Sequence, residues 1–185
     1  MKDNKVIPFK LRNAEDYFIR GLAYADAGKL DQAIKDYTQA VDLDPNNYEY
    51  YIARGDAYSC LNEHELAIED FNFAIDIDPY HDDGYYSRGL AYYGTGDYDK
   101  SIEDFTQVID LDPTEIWAYL SRGNVYAEDG QFDLAIKDYT KVIELDPKNA
   151  EAYFRRSLVY GELNEPIKAN WDYSKAISFD QKYAD

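Results

Sequence analysis

The chain has 185 residues, 45% hydrophobic and 16% aromatic with 20 tyrosines, ample material for a core and a composition that argues against wholesale disorder. Its formal net charge of -18 disfavours nucleic acid and anionic membrane as partners, because either requires a basic surface. Cys60 is the single cysteine, which excludes an intrachain disulfide and a thiolate zinc cluster.

The first segment, residues 1–13, carries a short apolar patch, VIPF at 6–9, interrupted by Pro8, and does not read as a signal peptide. No run approaches the ~18 apolar residues of a membrane span, so the expectation is a cytoplasmic protein. From Ala14 onward the sequence repeats every 34 residues without a gap: units 14–47, 48–81, 82–115, 116–149 and 150–183. In the first unit Tyr17, Gly21, Tyr24 and Ala25 fall on one helical stripe. Ala33, Ile34, Tyr37, Val41 and Leu43 form another. DAGKLD between them contains a glycine, a natural helix stop, and the LDP that ends the unit sets a proline where helical bonding ceases.

The following units repeat this design. The fourth position is Tyr17, Tyr51, Tyr85, Tyr119 and Tyr153, and the eleventh is Tyr24, Tyr58, Tyr92, Tyr126 and Tyr160. The eighth is Gly21, Gly55, Gly89, Gly123 and then Ser157; the twentieth is Ala33, Ala67, Ser101, Ala135 and Ala169. The twenty-fourth is always aromatic: Tyr37, Phe71, Phe105, Tyr139 and Tyr173. Small residues let two helix axes approach, and the aromatics fill the space around them; glycine in an exposed helix would otherwise cost about 1 kcal/mol. The fifth unit departs most, with Asn170 in place of isoleucine and Gln181 in place of proline.

This pattern resembles the tetratricopeptide repeat (TPR). The resemblance implies an all-α fold of antiparallel helix pairs stacked into a right-handed superhelical solenoid with a concave groove, held by nearest-neighbour contacts. It also implies a non-enzymatic adaptor that binds a peptide or protein. One column departs from the usual pattern: where leucine is typical at the seventh position, this chain has Arg20, Arg54, Arg88, Arg122 and Arg156. Sixteen residues after each stands Asp36, Asp70, Asp104, Asp138 or Asp172, on the second helix. The expectation is a repeated Arg–Asp ion pair between tyrosines at i−3 and i+4, formed either within a unit or between adjacent units.

By the same resemblance, the groove is formed by particular first-helix positions. The fifth-position row, Phe18, Ile52, Tyr86, Leu120 and Phe154, is apolar throughout and reads as a groove floor or as packing between repeats. Beside it lie Glu15, Glu49 and Trp117 at position two, Leu22, Asp56, Leu90, Asn124 and Leu158 at position nine, and Tyr93 at position twelve. These positions contain acids and no base, which suits a partner with apolar anchors and basic flanks. They lack the lysines with which chaperone-binding TPR proteins clamp an Hsp70 or Hsp90 tail; Asn124 and Arg155 fit single slots only. That ligand is therefore not expected.

No cofactor or metal is expected either. His64 and His81 fall in turns with no triad arrangement, and a phosphate-binding loop is missing from the sequence. Asp78, His81, Asp82 and Asp83 gather near one turn, but Asp82 and Asp83 are well placed to cap the next helix. At the C-terminus Tyr173, Ile177 and Phe179 are expected to face water, and with VIPF they suggest a self-assembling scaffold or homodimer formed through the chain ends as the alternative function.

Overall fold

The computed structural model describes residues 13–184. Among these there are ten α-helices: α1 (Ala14–Asp26), α2 (Leu30–Leu43), α3 (Tyr48–Cys60), α4 (His64–Ile77), α5 (Asp82–Thr95), α6 (Tyr98–Leu111), α7 (Ile116–Glu128), α8 (Phe132–Leu145), α9 (Ala150–Glu162) and α10 (Pro166–Phe179). A short 3₁₀ turn, Gln181–Tyr183, follows. Each 34-residue unit contributes one consecutive antiparallel pair, with its first helix on its second. The VIPF segment lies outside the described residues.

The helix boundaries follow from the repeated sequence. Position fifteen of every repeat is left-handed: Gly28, Asn62, Gly96, Gly130 and Asn164 have φ of 69, 60, 78, 73 and 55°. Glycine and asparagine tolerate that region best. The next residue then donates its N–H back to the eleventh-position tyrosine carbonyl, as in Lys29 to Tyr24 at 2.8 Å and Gln131 to Tyr126 at 2.7 Å. This closes the first helix and turns the chain tightly into the second. At the other end of the first, third and fourth repeats, the aspartate before the proline begins a side-chain turn: Asp44 Oδ1 accepts from the Asn46 N–H at 3.3 Å, Asp112 Oδ1 from Thr114 at 2.8 Å and Asp146 Oδ1 from Lys148 at 3.1 Å. Asn13, Asn47, Glu115 and Asn149 then cap the following first helices.

The chain divides into two compact units, one ending at Asp78 and one beginning at Pro79. In the first, α1–α2 and α3–α4 pair, and α2 packs on α3. Its core gathers Ala33, Tyr37 and Ala57, with Phe18, Tyr24 and Ile34 against them. Gly55 shows why the eighth position is small, since a Cβ there would stand 2.5 Å from the Phe71 ring. In the second unit three pairs, α5–α6, α7–α8 and α9–α10, stack through α6–α7 and α8–α9. Val108, Leu120, Tyr139, Val142 and Val159 lie at the centre. Where a hydroxyl replaces the small apolar residue, it is satisfied: Ser101 Oγ donates to the Gly89 carbonyl at 2.8 Å and Ser157 Oγ to the Phe154 carbonyl at 2.7 Å.

The end of α10 corrects one expectation. Tyr173 and Ile177 are half-buried rather than turned to water, and Phe179 is 39% exposed. The ring of Tyr183, carried by the 3₁₀ turn, stacks on Phe154 at 4.7 Å. In the first unit Tyr50 of the next repeat packs on Phe18 with its ring tilted, at 4.9 Å.

Candidate functional site

The periodic arginine meets the aspartate of its own repeat. Arg20 Nε and Nη2 donate to Asp36 Oδ2 and Oδ1 at 2.6 and 2.5 Å, and Arg54 does the same to Asp70 at 2.8 and 2.7 Å. Arg88–Asp104, Arg122–Asp138 and Arg156–Asp172 repeat the two-pronged contact at 2.7–2.9 Å. All five carboxylates are buried, and each guanidinium lies near the tyrosine at i−3, from 5.7 Å (Arg54 to Tyr51) to 5.8 Å (Arg122 to Tyr119). Burial pulls the Arg122 guanidinium down from its ordinary pKa, but the hydrogen bond and charge of Asp138 together carry it above that value. Burial pushes the Asp70 carboxyl up while Arg54 draws it back, so the pair is bound to its geometry as much as to its charge.

A third bond went unread in the sequence. Arg54 Nη1 donates to Thr38 Oγ1 of the preceding repeat at 3.2 Å, Arg122 to Thr106 at 2.9 Å and Arg156 to Thr140 at 2.8 Å. Each threonine hydroxyl donates in turn to the carbonyl four residues back, Thr106 to Ile102 at 2.6 Å. Thus each of these arginines clamps its own helix pair and fastens it to the pair before. The signal was available, because these threonines precede their arginines by the same sixteen residues that separate arginine from aspartate.

The apolar fifth-position row is drawn into the packing without being fully covered: Phe18, Ile52, Tyr86 and Phe154 are half-buried. Leu120 is 4% exposed. Phe18 packs on Tyr37 and Tyr50, Tyr86 on Phe105 at 5.5 Å, and Phe154 on Tyr173 and Tyr183. Phe18, Tyr86 and Phe154 each rest on the twenty-fourth-position aromatic of their own second helix, and in the first unit Tyr50 of the next repeat adds to this. The exposed apolar surface lies one turn further along and at the helix starts: Leu22 in the first unit, and Leu90, Tyr93, Trp117 and Leu158 in the second. Of the flanking polar positions, Glu15, Glu49 and Asp56 are exposed, and the Tyr50 hydroxyl donates to Glu15 at 3.5 Å.

Two of the concavities in the second unit involve these first-helix positions. One, of about 380 Å³, is lined by Asp82, Asp83, Tyr86, Val108, Glu115 and Trp117. It joins apolar and aromatic surface to three carboxylates. Trp117 is 58% exposed, while Tyr86 is held by a 3.2 Å hydrogen bond with Ser121 Oγ. The other, of about 480 Å³, includes Tyr93, Asn124, Glu128, Tyr139, Arg155 and Leu158. There the Tyr139 hydroxyl donates to Asn124 Oδ1 at 2.8 Å, and burial raises the Tyr139 pKa. Arg155, at a position outside the expected groove set, adds a base, which is paired with Glu151 at 3.2 Å. His81, Asp82 and Asp83 bring potential ligand atoms within 4.8 Å of one another at the start of α5, on half-buried or exposed side chains. Among the described residues no helix is long and apolar enough to cross a membrane.

Comparison with known proteins agrees with this geometry. A family model described as TPR repeat matches residues 21–61 and 123–164, and models described as tetratricopeptide repeat match 48–81, 83–115 and 105–137. No curated protein sequence matches the chain. Among solved structures, a crystal structure of MamA is 28% identical, with a TM-score of 0.81 over 89% of this chain and 96% of that one. MamA from Desulfovibrio magneticus RS-1 shares the fold at 18% identity, with a TM-score of 0.84 over 91% of this chain and 96% of that one. YrrB, described as a TPR protein with an unusual peptide-binding site, shares it at 21% identity, with a TM-score of 0.74 over 91% and 87%. Repeat period, paired helices and matched models lead to one conclusion: the chain belongs to the tetratricopeptide-repeat family of protein–protein interaction modules.

Proposed function

We propose that the chain is a non-enzymatic cytoplasmic adaptor that binds a protein segment bearing apolar anchors and basic flanks on the first-helix surface of its second unit. The concavity of Asp82, Asp83, Tyr86, Glu115 and Trp117 carries this reading. It offers an exposed aromatic face to an apolar or cationic side chain, with carboxylates at the rim to select positive charge and repel negative. An acidic chaperone tail is disfavoured on the same grounds. Leu90 and Leu158 extend the apolar surface along the unit. The peptide-binding site named for YrrB is a precedent on this fold, not a map of residues.

The test uses a labelled synthetic peptide with leucine and tryptophan anchors between lysines, and its counterpart with glutamate in place of lysine. Fluorescence anisotropy should show binding of the basic peptide only, weakening as salt is added. Trp117→Ala should reduce affinity about tenfold without shifting the melting temperature, as expected for one aromatic anchor. Equal binding of the acidic peptide would overturn the reading.

A further inference from the structure

The second helices carry an outward stripe at positions eighteen, twenty-two, twenty-six and twenty-nine of the repeat. In α2 it reads Asp31, Lys35, Gln39, Asp42; in α6, Asp99, Glu103, Gln107, Asp110; in α8, Asp133, Lys137, Lys141, Glu144. These three stripes are charged or polar throughout. The other two are not. In α10 it reads Ile167, Trp171, Lys175, Ser178, with Ile167 86% and Trp171 55% exposed. In α4 it reads Glu65, Glu69, Phe73, Asp76, with Phe73 46% exposed.

Stacking of a further repeat does not account for the α10 residues. The first, third and fourth repeats each have a following repeat in the same compact unit, and there positions eighteen and twenty-two remain exposed. The stripe is therefore not a surface that repeat stacking covers, and large apolar residues on it need another reason. The charges differ as well. The one acid of α10, Asp172, is buried against Arg156, which leaves two ammonium groups: Lys168, exposed and paired with Glu165, and Lys175, half-buried with its Nζ 5.3 Å over the Trp171 ring. On the α4 stripe every exposed charge is negative.

We infer that these stripes are the two halves of a contact between copies of this chain: α10 of one molecule lies antiparallel on α4 of a second. Running them in opposite directions sets Ile167 and Trp171 beside Phe73 and Asp76, and Lys175 beside Glu65 and Glu69. Phe73 meets the apolar pair of α10 and the Lys175 ammonium meets carboxylates, with Asp76 at the rim of the contact. A single such contact is heterologous and leaves one α4 and one α10 open, so growth continues unless the arrangement closes, whether as a reciprocal pair or as a larger ring. Stable interfaces bury roughly 1,200–2,000 Å², more than two short helices supply, so association depends on concentration. Moderate salt favours it, because it screens the long-range repulsion of two acidic molecules beyond about 8 Å while leaving contact pairs effective.

The repeats themselves supply substitutions that the fold accepts. Ile167→Asp with Trp171→Lys gives α10 the residues of α8 at those positions, and Glu69→Lys with Phe73→Gln gives α4 those of α2. In 0.15 M salt, sedimentation equilibrium of the wild type should show a mass that rises with concentration. Each double variant, with unchanged helical circular dichroism, should stay monomeric. Mixing the two should yield a one-to-one dimer, since each retains the half the other lacks. A wild type that remains monomeric, a variant that associates as the wild type does, or a mixture that fails to pair would each overturn the proposal. None of these outcomes bears on peptide binding, because the substituted residues lie outside the Trp117 pocket.

Discussion

At the residue scale, arginine performs two tasks that leucine could not combine. Its fork grips a buried carboxylate, and the remaining Nη1 reaches a threonine on the preceding repeat. Arg122→Met leaves Asp138 buried without its cation and should cost ~3–5 kcal/mol in denaturant unfolding. Arg122→Met with Asp138→Leu should recover most of that loss, and strict additivity would show that the two side chains do not interact. Arg20 differs: its side chain is 46% exposed, against 15% for Arg122. Solvent screens Arg20 and no threonine bond holds it among the described residues, so Arg20→Met should cost much less. A tyrosine provides the pH signature. Burial, reinforced by Asp26 and Asp56, pushes the Tyr37 pKa from its ordinary value up to about 12. The neutral phenol is thus favoured in the folded state; its contribution is complete below about pH 10 and is lost as pH rises towards the folded value. Tyrosinate absorbance should show a late-titrating phase, shared with the buried Tyr139, that loses one group in Tyr37→Phe.

At the scale of the helix and its neighbours, the limits of sequence reading become physical. The turns were legible because a Gly or Asn recurs at one phase, and the close helix pairs because a small residue recurs at another, as at Gly55, where a Cβ would meet the Phe71 ring. The Arg–Asp partnership was legible in its constant offset. The open surface was not. Leu120 and Leu158 are the same residue one helical turn apart along the repeat, yet one is 4% and the other 50% exposed. Hydropathy records that both are apolar and is silent on which of them a neighbouring helix covers. The difference is measurable: Leu120→Ala should cost ~2–5 kcal/mol of stability by leaving a cavity. Leu158→Ala should leave stability nearly unchanged and weaken only the binding of a partner.

At the scale of the whole molecule, charge sets the background. A formal charge of -18 favours expansion of the compact state by self-repulsion. Added sodium chloride should therefore raise the melting temperature over the range in which it screens these charges; a flat or falling dependence in scanning calorimetry would show that local pairs dominate. The repeat count was legible at this scale because 34-residue phase survives across five copies, whereas the charge pattern on α4 and α10 acquires meaning only when helix exposure is known. The arginine–threonine link has a consequence for how such a chain lengthens. A unit with its donor at the seventh position and its acceptor at the twenty-fifth matches any sibling placed before or after it. A tandem duplication of the corresponding codons inserts a part already fitted on both sides, so the array can grow or shrink by whole units while every new joint inherits its fastening.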